Sequence, residues 1–242
     1  MSKPTFYAVF VGINAYTNCR QLDGCVNDVI AVSDYFQNLC TQPALDGSDQ
    51  QINWEPRYFL LPHRDELDLL EQKGIHFEEP TRNAIVQSFD HFQLADPQKG
   101  DYCFFYYCGH GSFVDAPPIF SELAPDGNLQ TLVCSDSRNE GQRDLLDKEL
   151  AYLIARSLKG KTKTEQQKGI HFLSVFDSCH SGSITRSDDE TKQRMEDPGA
   201  QVKDLHSILG FEPAGNELYY PFSGKDRIPK DGMKGLSYIN LS

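Results

Sequence analysis

The chain has no run of 18 consecutive apolar residues, so no segment of it reads as a membrane-spanning helix. Met1-Ser2-Lys3-Pro4 runs straight into a strand pattern and does not read as a secretion signal. Basic residues are in deficit: 23 Lys and Arg face 35 Asp and Glu, leaving a net charge of −12 and a pI near 5.0. That balance argues against a general binder of nucleic acid or anionic membrane, and it suits a basic partner. No two cysteines are spaced Cys-x-x-Cys and zinc-finger spacing is missing. The seven cysteines (Cys19, Cys25, Cys40, Cys103, Cys108, Cys134 and Cys179) are odd in number, which speaks against a disulfide framework. The expected compartment is therefore reducing and cytoplasmic, with mostly inert thiols and one reactive one. Gly12-Ile13-Asn14 is not a Gly-x-Gly-x-x-Gly turn, which weakens any dinucleotide- or flavodoxin-type reading. No internal repeat is evident.

What the chain does have is aromatic bulk. Apolar residues make up 39% of its 242 positions, with 15 Phe and 11 Tyr, enough for one large α/β domain or two small ones. Strand-like runs at 5–13, 54–61, 101–107 and 171–176 alternate with helical periodicity at 27–39, at 81–92 behind a Thr81 N-cap, and at 147–158. A short strand is expected at 132–134, and long loops at 41–53, 62–80 and 113–130. The alternation predicts an α/β fold: a doubly wound, mostly parallel sheet with helices on both faces. From residue 184 to 234 the pattern gives way to a polar segment that reads as a flexible connector. A last strand-like run, Leu236 to Leu241, follows it.

Two segments carry the chemistry. Tyr107-Cys108-Gly109-His110-Gly111-Ser112 and Asp177-Ser178-Cys179-His180-Ser181-Gly182 each follow a strand-like run. Carboxyl ends of parallel strands are where such sheets place ligands and reactive groups. A histidine at one end and a cysteine at another can form a nucleophile and its proton-transfer partner. His110 and Cys179 are the expected catalytic pair, and the N–H groups of Gly111 and Cys179 the expected oxyanion donors. The expected reaction is acyl transfer through a thioester, followed by hydrolysis.

These motifs, with Gly24-Cys25-Val26-Asn27-Asp28 near the first helix, resemble those of the caspase-like cysteine peptidases, the metacaspase and prokaryotic caspase-like branch in particular. The resemblance covers residues 5 to about 183. It implies a catalytic, large-subunit-like region over 1–183 and an inter-subunit linker over 184–234. It further implies that 235–242 opens a small subunit whose remainder is absent and would act as a partner of this region. It also implies that Asp28 and Asp177, with Cys25 and Cys108 beside them, line the pocket for the residue before the scissile bond. Two carboxylates there favour Arg, then Lys. Protein or peptide substrates with these residues are the implied partners, with neither nucleic acid nor membrane. Arg186, Lys192 and Arg194 in the connector are candidate self-cleavage sites. Calcium is an open question: Asp136 and Asp147 resemble family ligands, but Lys148 and Arg186 stand where further acids are common. The alternative is a caspase-fold binding or scaffold module that does not cut.

Overall fold

A computed structural model describes residues 3–42, 51–94, 100–120, 124, 126–139, 141–158, 171–178, 198–199, 202, 207–209, 211–212, 217–218 and 236–240. The elements in chain order are β1 (Thr5–Ile13), α1 (Cys25–Thr41), β2 (Asn53–Leu61), α2 (Leu67–Gln72), β3 (Phe77–Glu78), α3 (Arg82–Ser88) and α4 (Asp90–Leu94). They continue with β4 (Tyr102–Cys108), β5 (Gly111–Asp115), β6 (Asn128–Leu132), β7 (Leu145–Leu146), α5 (Asp147–Leu158), β8 (His171–Asp177), β9 (Phe211–Glu212), β10 (Glu217–Leu218) and β11 (Leu236–Asn240).

Six strands form one sheet in the order β11-β8-β4-β1-β2-β3, with every neighbouring pair parallel. The doubly wound α/β expectation holds. Side chains alternate across a strand, so β4 feeds aromatics to both layers. Phe104 packs on Phe36 of α1 with ring centroids 4.6 Å apart, while Phe105 packs on Phe89 beside α3 and α4 at 5.0 Å. Gly12 of β1 lets α1 settle close: a Cβ there would lie 2.9 Å from Val29 Cγ2 and 3.1 Å from the Cys25 carbonyl.

The chain then leaves β4 through His110 into a second, antiparallel sheet of β5, β6 and β7. A smaller apolar cluster lies under it, formed by Val114, Phe120, Leu129, Leu146 and Ile208. The stretch 62–80, read as loop, holds a short 3-10 turn (64–66), α2 and β3, and 113–130 holds most of β5 and β6. Polar Gln130 and Thr131 hid β6, which ends at Leu132 instead of starting there. Thr81 caps α3 as expected, its Oγ1 accepting the Ala84 N–H at 3.1 Å.

Part of the polar segment after residue 184 is described, and it packs on the small sheet. Gly199 N–H donates to the Phe113 carbonyl at 2.9 Å and Ile208 is buried. Arg186, Lys192 and Arg194 lie outside the described residues.

Candidate active site

The register of the parallel sheet aligns Gly12, Cys108 and Asp177 at the carboxyl ends of β1, β4 and β8. Gly109 N–H then reaches across to the Asp177 carbonyl at 3.4 Å. Both sequence motifs therefore leave the sheet at one edge, side by side. Ser178 is the last residue described there; Cys179 and His180 lie outside the described residues.

Period-two alternation turns Cys108 and Asp177 toward the α1 face, where the first turn of α1 presents Asp28. Cys108 Sγ lies 3.7 Å from Asp28 Oδ2 and 3.7 Å from Asp177 Oδ2. The three donor atoms all lie within 4.8 Å of one another. They are the one such acid, thiol or imidazole group among the described residues. Tyr106, two residues back on the same strand face, walls this group. Burial pushes its phenol far up, and Cys108, Asp177 and Asp28 push it in the same direction. The tyrosine therefore stays neutral, and the local charge is that of the carboxylates. Cys25, expected beside them, stands outside the group. It is fully buried at the first position of α1, where its N–H donates to Asn14 Oδ1 at 2.9 Å.

That bond sets where Asp28 stands. Gly24 precedes α1 with φ 112, a left-handed turn that glycine enters freely, and no local side chain caps the helix. Asn14, at the end of β1, supplies the cap from eleven residues upstream. Its amide nitrogen donates to Glu66 Oε1 at 2.8 Å, so the buried asparagine is held from both ends.

His110 is fully buried in the turn between β4 and β5. Its Nε2 lies 2.6 Å from the Arg20 carbonyl. A carbonyl only accepts, so Nε2 carries the proton, and Nδ1 is the basic nitrogen of the neutral ring. The next residue, Gly111, pairs with Leu132 of β6. Val133 N–H donates to the His110 carbonyl at 3.0 Å, making His110 and Val133 the hydrogen-bonded pair of the ladder. Antiparallel ladders alternate, so the neighbouring Gly111 N–H points away from β6.

Behind the small sheet, Glu149 is fully buried and accepts from Arg143 Nη1 and Nη2 at 2.7 and 2.6 Å and from Arg82 Nη2 at 2.7 Å. Burial alone would raise this carboxyl, but Arg143 and Arg82 hold it below the ordinary glutamate value. It also accepts from the Leu209 N–H at 2.9 Å, tying the later segment to α5. Asp136 and Asp147 are not brought together in a metal-ligating group among the described residues. Asp136 accepts the Arg82 N–H at 2.7 Å at the start of α3, and Asp147 pairs with Lys148 Nζ at 2.7 Å.

Sequence reasoning missed Asn14, Tyr16, Tyr106 and the Arg20 carbonyl. Tyr106 was within reach, because it shares a strand face with Cys108. A main-chain carbonyl leaves no mark in a sequence.

The six described cysteines other than Cys179 are free thiols, and no described helix is long and apolar enough to cross a membrane. Metacaspase-1 of Coccidioides immitis is 28% identical over 176 residues, covering 73% of this chain and 31% of that protein. Metacaspase-1A of Aspergillus niger is 27% identical over 176 residues, covering 73% of this chain and 35% of that one. The chain thus spans about a third of the length of the curated relatives it matches. A crystal structure of a Geobacter sulfurreducens protein superposes with a TM-score of 0.47 at 21% identity, over 75% of this chain and 53% of that one. A model of the caspase domain matches residues 5–229, nearly the whole chain and both strand-end motifs, and the chain accordingly belongs to the caspase-domain family of peptidases.

Proposed function

We propose that this protein is a metacaspase-like cysteine endopeptidase that cleaves after Arg, and less well after Lys. One observation carries the reading: a histidine with its Nε2 committed to a carbonyl and a pair of carboxylates share one sheet edge with the strand that leads into Cys179. In this mechanism Nδ1 of His110 takes the thiol proton of Cys179. The thiolate attacks the scissile carbonyl carbon, and the oxyanion is received by the N–H groups of Gly111 and Cys179. His110 returns the proton to the departing amine, leaving a thioester on Cys179. It then takes a proton from water, whose oxygen attacks the thioester and releases the acid and the free thiol. Asp28 and Asp177 grip the guanidinium of the preceding residue, with Cys108 between them.

A connector carrying Arg186, Lys192 and Arg194 supports activation by self-cleavage. Calcium is a candidate activator to be tested beside it, as is a small-subunit partner segment. The test incubates the full-length protein with fluorogenic peptides ending in Arg, Lys or Asp, with and without calcium, alongside Cys179→Ala. Arg-peptide hydrolysis that vanishes in Cys179→Ala is the expected result. Release from Asp peptides would overturn the pocket assignment, and no release under any condition would favour a scaffold that does not cut.

A further inference from the structure

The turn carrying His110 is gripped by two tyrosines that have no part in the chemistry proposed above. Tyr107 is the penultimate residue of β4, and Tyr16 lies on the loop after β1; both are buried. An unbroken antiparallel pair would return the His110 N–H to the Val133 carbonyl. Instead the His110 N–H donates to Tyr16 Oη at 3.0 Å, and the Tyr16 hydroxyl donates to the Val133 carbonyl at 2.9 Å. The Tyr16 hydroxyl is thus inserted into the β5–β6 ladder at the position of the histidine. The Tyr107 hydroxyl lies beside it, 3.4 Å away, and its proton is shared between the His110 carbonyl at 2.8 Å and the Val133 carbonyl at 2.9 Å. The Tyr16 ring also lies against the imidazole, with centroids 4.8 Å apart.

We infer that Tyr16 and Tyr107 are positioning residues, whose hydroxyls fix the His110 peptide and thereby hold its Nδ1 in line for proton transfer. The inference rests on the reading of His110 as the general base. N–H, C=O and ring of one residue are each held, and Nε2 is pinned separately on Arg20. A shift of the peptide would swing the imidazole about that pin and carry Nδ1 off its line. Gly109 shows how closely the clamp is built. A Cβ there would lie 2.7 Å from Tyr107 Oη and 2.7 Å from Tyr16 Oη, so the hydroxyls occupy the space a side chain would need. Burial pushes both phenols well above their ordinary value, so both remain donors at any working pH.

The test uses the full-length protein, with Tyr16→Phe and Tyr107→Phe made separately. Tyr58→Phe is the control: it loses a tyrosine hydrogen bond of 2.6 Å to Ser33 on α1, away from the turn. Readouts are the kinetics on Arg peptides, the thermal midpoint, and nitrogen NMR of the His110 ring. Each clamp variant should lower kcat by roughly 10- to 100-fold with KM unchanged, as expected for a misplaced catalytic group. The ring signals should shift as Nδ1 leaves its place, with the proton still on Nε2 against the Arg20 carbonyl. Tyr58→Phe should lower the thermal midpoint by a similar amount but leave kcat and the ring signals in place. Ring signals unchanged in both clamp variants would overturn the inference, as would a control that shifts them equally. If the parent protein cleaves nothing, the functional reading fails, while the ring signals still decide the clamp.

Discussion

Holding Asp28 and Asp177 oxygens within 4.8 Å of each other carries a repulsive cost that an arriving cation relieves. The Cys108 thiol between them offers a proton to one carboxylate at a time and cannot neutralise the pair. A guanidinium brings a full positive charge between them and relieves their repulsion, with several N–H groups to donate. Asp28→Asn and Asp177→Asn should therefore each lower kcat/KM on Arg peptides by roughly 10- to 100-fold, the worth of about 1.5–3 kcal/mol for a hydrogen bond to a charged group. Most of the effect should lie in KM, read from initial-rate series; an unchanged KM in both variants would remove these residues from the pocket. Gly109→Ala acts differently. Its methyl group would meet two hydroxyls that are buried and already bonded, so the turn must open. A loss of about 1–3 kcal/mol, typical of overpacking, should appear in urea unfolding, together with loss of hydrolysis. The histidine and Asp177 were legible in strand-end motifs, and Asp28 only through the resemblance of the segment at the first helix. The tyrosine clamp was not, because Tyr16 and Tyr107 stand 91 positions apart and meet only when β1 and β4 pair.

At the level of elements, α5 is anchored by Glu149 between Arg82 of α3 and Arg143 of the preceding loop. Removing the carboxylate leaves two guanidiniums without their buried partner. Glu149→Ala should cost about 3–5 kcal/mol, measured as the shift in urea midpoint. The pH dependence has a definite sign. Glu149 has a folded pKa below its unfolded value near 4.5, so its contribution is fully present above that value and is lost as pH falls through the folded one. Asp147 runs the other way: burial raises its carboxyl despite Lys148, so its charged form weighs against the fold above its unfolded value near 3.8. Unfolding midpoints between neutral pH and about pH 3 should fall more gently in Glu149→Gln than in the parent, beyond the constant cost of the substitution. Parallel curves would show that Glu149 is not the group being titrated. At this scale five of the six strands of the large sheet were readable from β-branched and aromatic runs, all but the two-residue β3, and α5 from its periodicity to the residue. The small sheet was not: β5 begins inside the histidine motif and β7 is two residues long. Neither is long enough to show a period of its own.

Across the whole molecule, the net charge of −12 favours approach of a basic substrate from a distance. Hydrolysis of Arg peptides at low substrate should slow as salt is raised, with kcat less affected than kcat/KM; a salt-independent kcat/KM would confine the electrostatics to the pocket itself. The alternation of strand-like and helical runs by itself determined the α/β class and the parallel sheet, and the motifs the residue types at the strand ends. They sufficed because burial demands apolar periodicity and because parallel strands expose their carboxyl ends together. Only the tertiary structure showed that Cys25 is buried at the start of α1, outside the group that Asp28, Cys108 and Asp177 form. It alone also showed that Asn14 caps a helix from another element, that the Arg20 carbonyl sets the imidazole tautomer, and that part of the polar segment packs on the small sheet. Each of these depends on where backbone groups from distant elements arrive. That is fixed by strand register and packing, which a linear pattern of side chains does not encode.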